Sequence, residues 1–199
     1  METFFNLIKS FILSPKEAWE REKEKEIESS SFIVSYIVPL ALIPAVCSFI
    51  GYGFIGINVG FFGRAASLGL GINSALTSFV GTIVGVYLSA WVIQMLSTNF
   101  VATITMNKAL ALVGYAYTPM LVAGIFNIIP SLSILSLAGS LYSLYVLYIG
   151  LVPMTGVSEE KKTSFFITTL VVMIGVYIVL ALVLAAIFTS FGLTMSAFR

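Results

Sequence analysis

Apolar residues occupy this chain in five long blocks, and its polar residues collect in short stretches between them. The blocks run from Phe32 to about Phe54, Ser74 to Leu96, Lys108 to about Ile129, Ser131 to about Val152 and Phe165 to about Phe191. A helix of about 20 apolar residues, rising about 1.5 Å per residue, crosses a hydrocarbon core about 30 Å thick. The pattern predicts an all-α polytopic membrane protein, a bundle of about five transmembrane helices. The third and fourth blocks meet at Asn127 to Pro130, a connection short enough for a helical hairpin. Pro39 and Pro44 in the first block and Pro119 in the third predict kinks, whose freed carbonyls must find partners on neighbouring helices.

The first 30 residues read differently. Phe4, Phe5, Ile8, Phe11 and Ile12 recur at helical spacing, with Asn6, Lys9 and Ser10 between them. This is a short amphipathic helix, fit to lie in the headgroup region or to pack on the protein's own helices. Glu2 and the dense charge that follows argue against a cleaved signal peptide. Ser14, Pro15 and Glu17 form a helix-start pattern, with Ser14 as N-cap and Glu17 at the capping-box position. The second helix, AWEREKEKEIE, pairs Glu20 with Lys23 and Glu22 with Lys25 at three-residue spacing. It reads as a solvated helix or as a docking face for a cytosolic partner, with Trp19 at the membrane interface. The expected division is a cytosolic or interfacial segment, 1–30, and a five-helix unit, 31–199.

Small residues mark where helices can approach. Ser74, Ser78, Gly81, Gly85 and Ser89 form a stripe on the second block, and Gly81 with Gly85 makes a GxxxG, expected to pack within the chain. Residues 55–73 hold Gly56, Gly60, Gly63, Gly69 and Gly71, with Arg64 the one charge. They predict an irregular or interfacial connection, or an extension of the first helix through Gly56, Gly60, Phe61 and Phe62. Tyr142, Tyr145 and Tyr148 fall at threefold spacing on the fourth block and read as packing and interface anchors. The segment Pro153 to Gly156 ends that helix, and Ser158 starts the next, with Glu159 and Glu160 in its first turn.

Composition agrees with lipid as solvent. The chain of 199 residues is 59% hydrophobic and 10% charged, with a mean hydropathy of +1.05. Ordinary soluble domains are about 25% charged. A net charge of +1 gives no basis for nucleic-acid binding. There is no His and no Asp, which removes Ser-His-Asp catalysis and the commonest metal ligand. No phosphate-binding loop or zinc signature is present, so no cofactor is expected. Cys47 lies in an apolar run and reads as a small buried residue. Lys9, Lys16, Arg21, Lys23, Lys25, Lys108, Lys161 and Lys162 fall on one side if five helices alternate, leaving Arg64 and Arg199 on the other. The positive-inside rule then puts the N-terminus in the cytoplasm and the C-terminus outside.

No carboxylate lies within a spanning block, which argues against a proton-coupled pump. A passive pore or lipid pathway near Pro119, Asn127 and the tyrosines stays open. The stretch from Tyr115 through Tyr117 and Thr118 to Pro119 reads as a kinked packing helix or as a ligand site.

Three pieces, SPKEAW from Ser14 to Trp19, GYAYTP from Gly114 to Pro119 and LYSLYVLY from Leu141 to Tyr148, resemble the Yip1 family of small membrane proteins in its prokaryotic branch. The resemblance covers roughly residues 14 to 190. It implies a cytosolic N-terminus and five spanning helices. Eukaryotic members bind small prenylated GTPases and act in vesicle formation. They carry a longer, Asp-containing N-terminal region that this chain lacks, so the resemblance implies the fold and not that role. Two functions fit the residues. The first is a non-enzymatic membrane protein that organises or binds membrane proteins, further copies of itself or lipids, through the charged N-terminal helix and the Glu159 to Lys162 turn. The second is a passive channel or small-solute or lipid transporter. A continuous polar cavity between helices would favour the second.

Overall fold

Hydrocarbon offers a backbone no hydrogen bonds, so a chain this apolar must cross it as internally bonded helices. The computed structural model describes residues 4–58, 64–100 and 102–190, with side chains in the last helix as far as Val179. Five helices are long and apolar enough to span: Ser29–Ile55, Leu68–Phe100, Met106–Ile128, Leu135–Thr155 and one beginning at Glu159. Two short helices, α1 (Phe4–Leu13) and α2 (Pro15–Glu22), precede them. Residues 191–199, including Phe191 and Arg199, lie outside the described residues.

The first span is composite. It comprises α3 (Ser29–Phe32), a π-helical turn at Ile33–Ile37, α4 (Val38–Ile50) and a second π turn at Gly51–Ile55. Pro39 cannot donate to the carbonyl one turn back, and the wider π turn ahead of it makes room for its ring. The helix stops at Gly56, whose φ of 79° is left-handed. Gly56 therefore does not extend the first helix, and Gly60, Phe61 and Phe62 lie outside the described residues. The connection is a small antiparallel ladder instead, β1 (Ile57–Asn58) against β2 (Arg64–Ala65), with Ile57 opposite Ala65.

The second span, α5 (Leu68–Ser97), starts earlier than the expected Ser74. Ser67 caps it, accepting from the Leu70 N–H at 3.1 Å. Gly69 and Gly71 discourage a helix locally, but packing overrides this at Gly71. A Cβ there would stand 2.8 Å from the Gly53 Cα and the Phe49 carbonyl oxygen, so glycine is what lets the two spans touch. The GxxxG behaves only half as expected. Gly85 is buried beside the Tyr177 hydroxyl, whereas a Cβ on Gly81 would meet nothing within 4 Å. Among the described residues, Gly81 makes no close helix contact.

The third span is central. Every residue of α6 (Met106–Ala116) from Ala109 to Ala116 is buried. The helix breaks at Tyr117, resumes as α7 (Thr118–Ala123) and tightens to a 3-10 helix over Gly124–Ile128. The break is where Pro119 predicts it. The Met120 N–H, at the start of the new helix, donates to the Ser143 hydroxyl at 2.9 Å. Ser143 is on α8 (Leu135–Thr155), the fourth span. Pro153 sits inside α8, and left-handed Gly156 (φ 72°) ends it. The fifth span is α9 (Glu159–Ser190). Outward residues such as Leu137, Leu141, Val171 and Ile174 are exposed, giving the bundle a lipid-facing apolar surface.

Helix contacts of this closeness make testable demands. A Cβ on Gly139 would collide with the Ala123 Cβ and stand 2.9 Å from the Pro119 carbonyl oxygen. Gly139→Ala is expected to destabilise the bundle by about 1–3 kcal/mol, while Gly81→Ala costs nothing. Unfolding of both variants in detergent checks this; equal midpoints would contradict it.

Candidate functional site

The most unusual group lies where the N-terminal segment meets the third span. Pro15, Ala18, Trp19 and Glu22 fall at helical spacing on one face of α2, and all four are buried. The Ser14 side chain makes no capping bond, so the expected capping box does not form. The helix ends at Glu22 and does not continue to Glu28. It is not a solvated helix: its apolar face is docked on the bundle.

Trp19 is 1% exposed and sits inside the protein, packed between helices. Its indole N–H donates to the Val146 carbonyl at 3.0 Å. Gly150 makes room for it, since a Cβ there would stand 2.5 Å from the ring. Phe11 of α1 stacks on Tyr115 with centroids 4.5 Å apart, and meets Trp19 edge-on at 4.8 Å. Phe32 and Tyr36 of the first span close the other side, edge-on to Tyr115 at 5.0 and 5.1 Å. Offset and edge-to-face rings of this kind contribute about 0.5–1.5 kcal/mol per pair beyond burial.

Into this aromatic box points a carboxylate. Glu22 is 2% exposed. Its Oε2 accepts from the Tyr115 hydroxyl at 3.0 Å, and its Oε1 from the Lys25 ammonium at 2.6 Å. A buried carboxylate without such partners would cost several kcal/mol. Glu22 was missed because it belongs to a charged run. The signal was its place four residues after Ala18 and three after Trp19, on the apolar face of α2.

The other candidate residues do not form one site. The Tyr36 hydroxyl and Thr118 Oγ1 are 2.8 Å apart, both buried. Tyr117 points elsewhere, its hydroxyl 2.8 Å from Ser89 Oγ, which lies 3.4 Å from Tyr177. Pro119 is buried against α8. Asn127 is at the far end of the third span, accepting from Ser136 at 3.2 Å. Tyr142 donates to the Ile12 carbonyl at 2.8 Å and so ties α8 to α1. Tyr145 is 45% exposed. The Tyr148 hydroxyl lies 3.1 Å from Thr163 Oγ1, and its ring carries the Lys162 ammonium 4.6 Å from the centroid. Tyr142 and Tyr148 thus tie two different neighbours, while Tyr145 packs beside Tyr142 on the same helix. Gly85 backs Tyr177, and Gly81 backs nothing among the described residues. Among the described residues, no cluster of His, Cys, Asp or Glu is suited to a metal ion.

The Yip1 domain model matches residues 9–183, which includes α2, the aromatic box, the first four spans and most of the fifth. The chain belongs to the Yip1 family. It is similar to the inner membrane protein YohC of Escherichia coli strain K12, 28% identical over 164 residues that cover 79% of this chain and 82% of YohC. The YohC of Escherichia coli O6:H1 strain CFT073 matches equally. No solved structure matches. In this Yip1 protein the matched region begins within α1, so the family model takes in the docked N-terminal helices as well as the spans.

Removing one partner of the buried pair strands the other. Tyr115→Phe is expected to destabilise by about 1–3 kcal/mol and to open the chain to trypsin at Lys23 and Lys25. Glu22→Leu with Tyr115→Phe should cost less than the two single effects added together. Denaturant unfolding in detergent with timed trypsin digestion tests this; additive losses would show the two residues uncoupled.

Proposed function

We propose that this Yip1 protein is a non-enzymatic membrane protein that organises or binds other membrane proteins or lipids, alone or as an oligomer. The observation that carries the reading is a filled interior. Around Pro119 and Tyr115, part of the path a solute was expected to take, side chains fill the space: Thr118 is 0% exposed, Tyr115 is 4% exposed, and Gly139 packs against Ala123 and the Pro119 carbonyl. The cavities described are elsewhere. Three are at the charged end, and one is an apolar groove on the flank between α4 and α5. The buried carboxylate is held by Tyr115 and Lys25, as a structural group would be.

Two surfaces expected to meet partners are one surface in the fold. Lys16, Glu20 and Lys23 of the α2 region and Glu159 and Lys162 of α9 line a common cleft. We place residues 1–30 as the cytosolic or interfacial segment on the spanning unit 31–199, with the N-terminus cytoplasmic and the C-terminus outside. The clustering of cations at the α2 end supports this orientation. The name of the YohC relative supports a prokaryotic inner membrane.

Proteoliposomes carrying the protein are expected to pass ions and small solutes no faster than empty vesicles. A photo-cross-linker at Glu20 should capture specific membrane neighbours. Flux above background, lost on mutating Tyr117 or Asn127, would overturn the reading in favour of a channel.

A further inference from the structure

The cleft at the charged end has a volume of about 430 Å³ and lies between α2, the last turns of α8 and the first turn of α9. Its floor is apolar, formed by Trp19, Ile149, Val152 and Pro153. Its rim is charged, and the charges are arranged. Glu20 is bound to Lys23 at 2.5 Å, and Glu159 to Lys162 at 3.4 Å. The hydrogen bond to Glu20 holds the Lys23 ammonium above the usual lysine range, so it stays charged. The Lys162 side chain is only 13% exposed and is drawn inward over the Tyr148 ring. Lys16 forms no ion pair among the described residues. The rim therefore has one cation in excess.

The level of the cleft matters as much as its charge. Ile149, Val152 and Pro153 belong to the end of a membrane-crossing helix that stops at Thr155, where hydrocarbon gives way to headgroups. A ligand here meets lysines on the water side and apolar side chains on the lipid side. We propose that this cleft binds the phosphate diester of an anionic membrane phospholipid, with its glycerol and acyl portion over Ile149 and Val152. A diester carries one negative charge and matches the one excess cation. Free phosphate carries about one and a half to two negative charges at neutral pH and has no use for an apolar floor. The proposal rests on the reading of the protein as a membrane binder, and gives one ligand of that reading a place and a chemical class.

The test uses the full chain in neutral detergent. Trp91→Phe leaves Trp19, in the cleft wall, as the fluorescent reporter. The ligands are dioctanoyl phosphatidylglycerol, dioctanoyl phosphatidylcholine, glycerol phosphate and inorganic phosphate. Saturable binding of phosphatidylglycerol, well above the other three, is expected. Lys16→Gln should weaken it about fivefold, and Lys16→Gln with Lys162→Gln about 25-fold, from the usual contribution of a lysine at an anionic surface. Lys9→Gln, outside the cleft, should leave it unchanged. Lys16 is exposed and forms no ion pair among the described residues, so its single variant keeps the test sound if the double variant unfolds. Equal binding of phosphatidylcholine or inorganic phosphate, or equal binding by the Lys16→Gln variant, overturns the proposal. If such a failure comes with partners still captured at Glu20, only the lipid site falls; solute flux would remove the reading beneath it.

Discussion

The hydrogen bond between Glu22 and Tyr115 is the interaction on which the charged end of this protein depends. A carboxylate and a phenol are both costly to bury alone, and each is affordable here because of the other. Around them Phe11, Trp19, Phe32 and Tyr36 exclude water and so strengthen the bond they enclose. The consequence is architectural. The first 30 residues carry most of the chain's charge, yet the helices within them, α1 and α2, are part of the same core as the third span. Trp19 to Val146 and Tyr142 to Ile12 fasten the same segment to the fourth span. The cleft beside α2 exists only because that docking holds Lys16 and Lys23 against the end of α8.

The same constraint shapes the membrane interior. Pro119 breaks the third span, and the donor left over at Met120 is taken by Ser143 of the fourth. Where helices touch, glycine meets backbone or a ring: Gly71 on Gly53, Gly114 on Phe32 and Ile37, Gly139 on Ala123, Gly150 on Trp19. Lipid supplies no hydrophobic drive between helices, so close approach and a few internal hydrogen bonds must hold them. The filled interior follows, and with it the preference for binding over transport.

Much of this was legible in the residues. Block length revealed the five spans, because the period of apolar residues needs no tertiary information. Pro119 announced its break, and SPKEAW, GYAYTP and LYSLYVLY pointed to the family. What was hidden depends on contacts between segments far apart in the chain. Trp19 looked like an interface anchor because nothing local says that Gly150 leaves a space for it. Glu22 looked solvated because its partner is 93 residues away. Glycines at 69 and 71 concealed the first turns of α5, since local propensity cannot see Gly53 across the interface. Gly81 and Gly85 read as one motif, but among the described residues only Gly85 faces a neighbour.

The central claim is that the charged N-terminal helix is an integral part of the folded bundle. Hydrogen–deuterium exchange of the whole protein in neutral detergent tests it most directly. Amides from Ala18 to Glu22 are expected to exchange on the slow timescale of the buried α6 amides, through opening of the bundle. Exchange of those amides within the first seconds, with α6 still protected, would mean that α2 is a free surface helix and that the account is wrong.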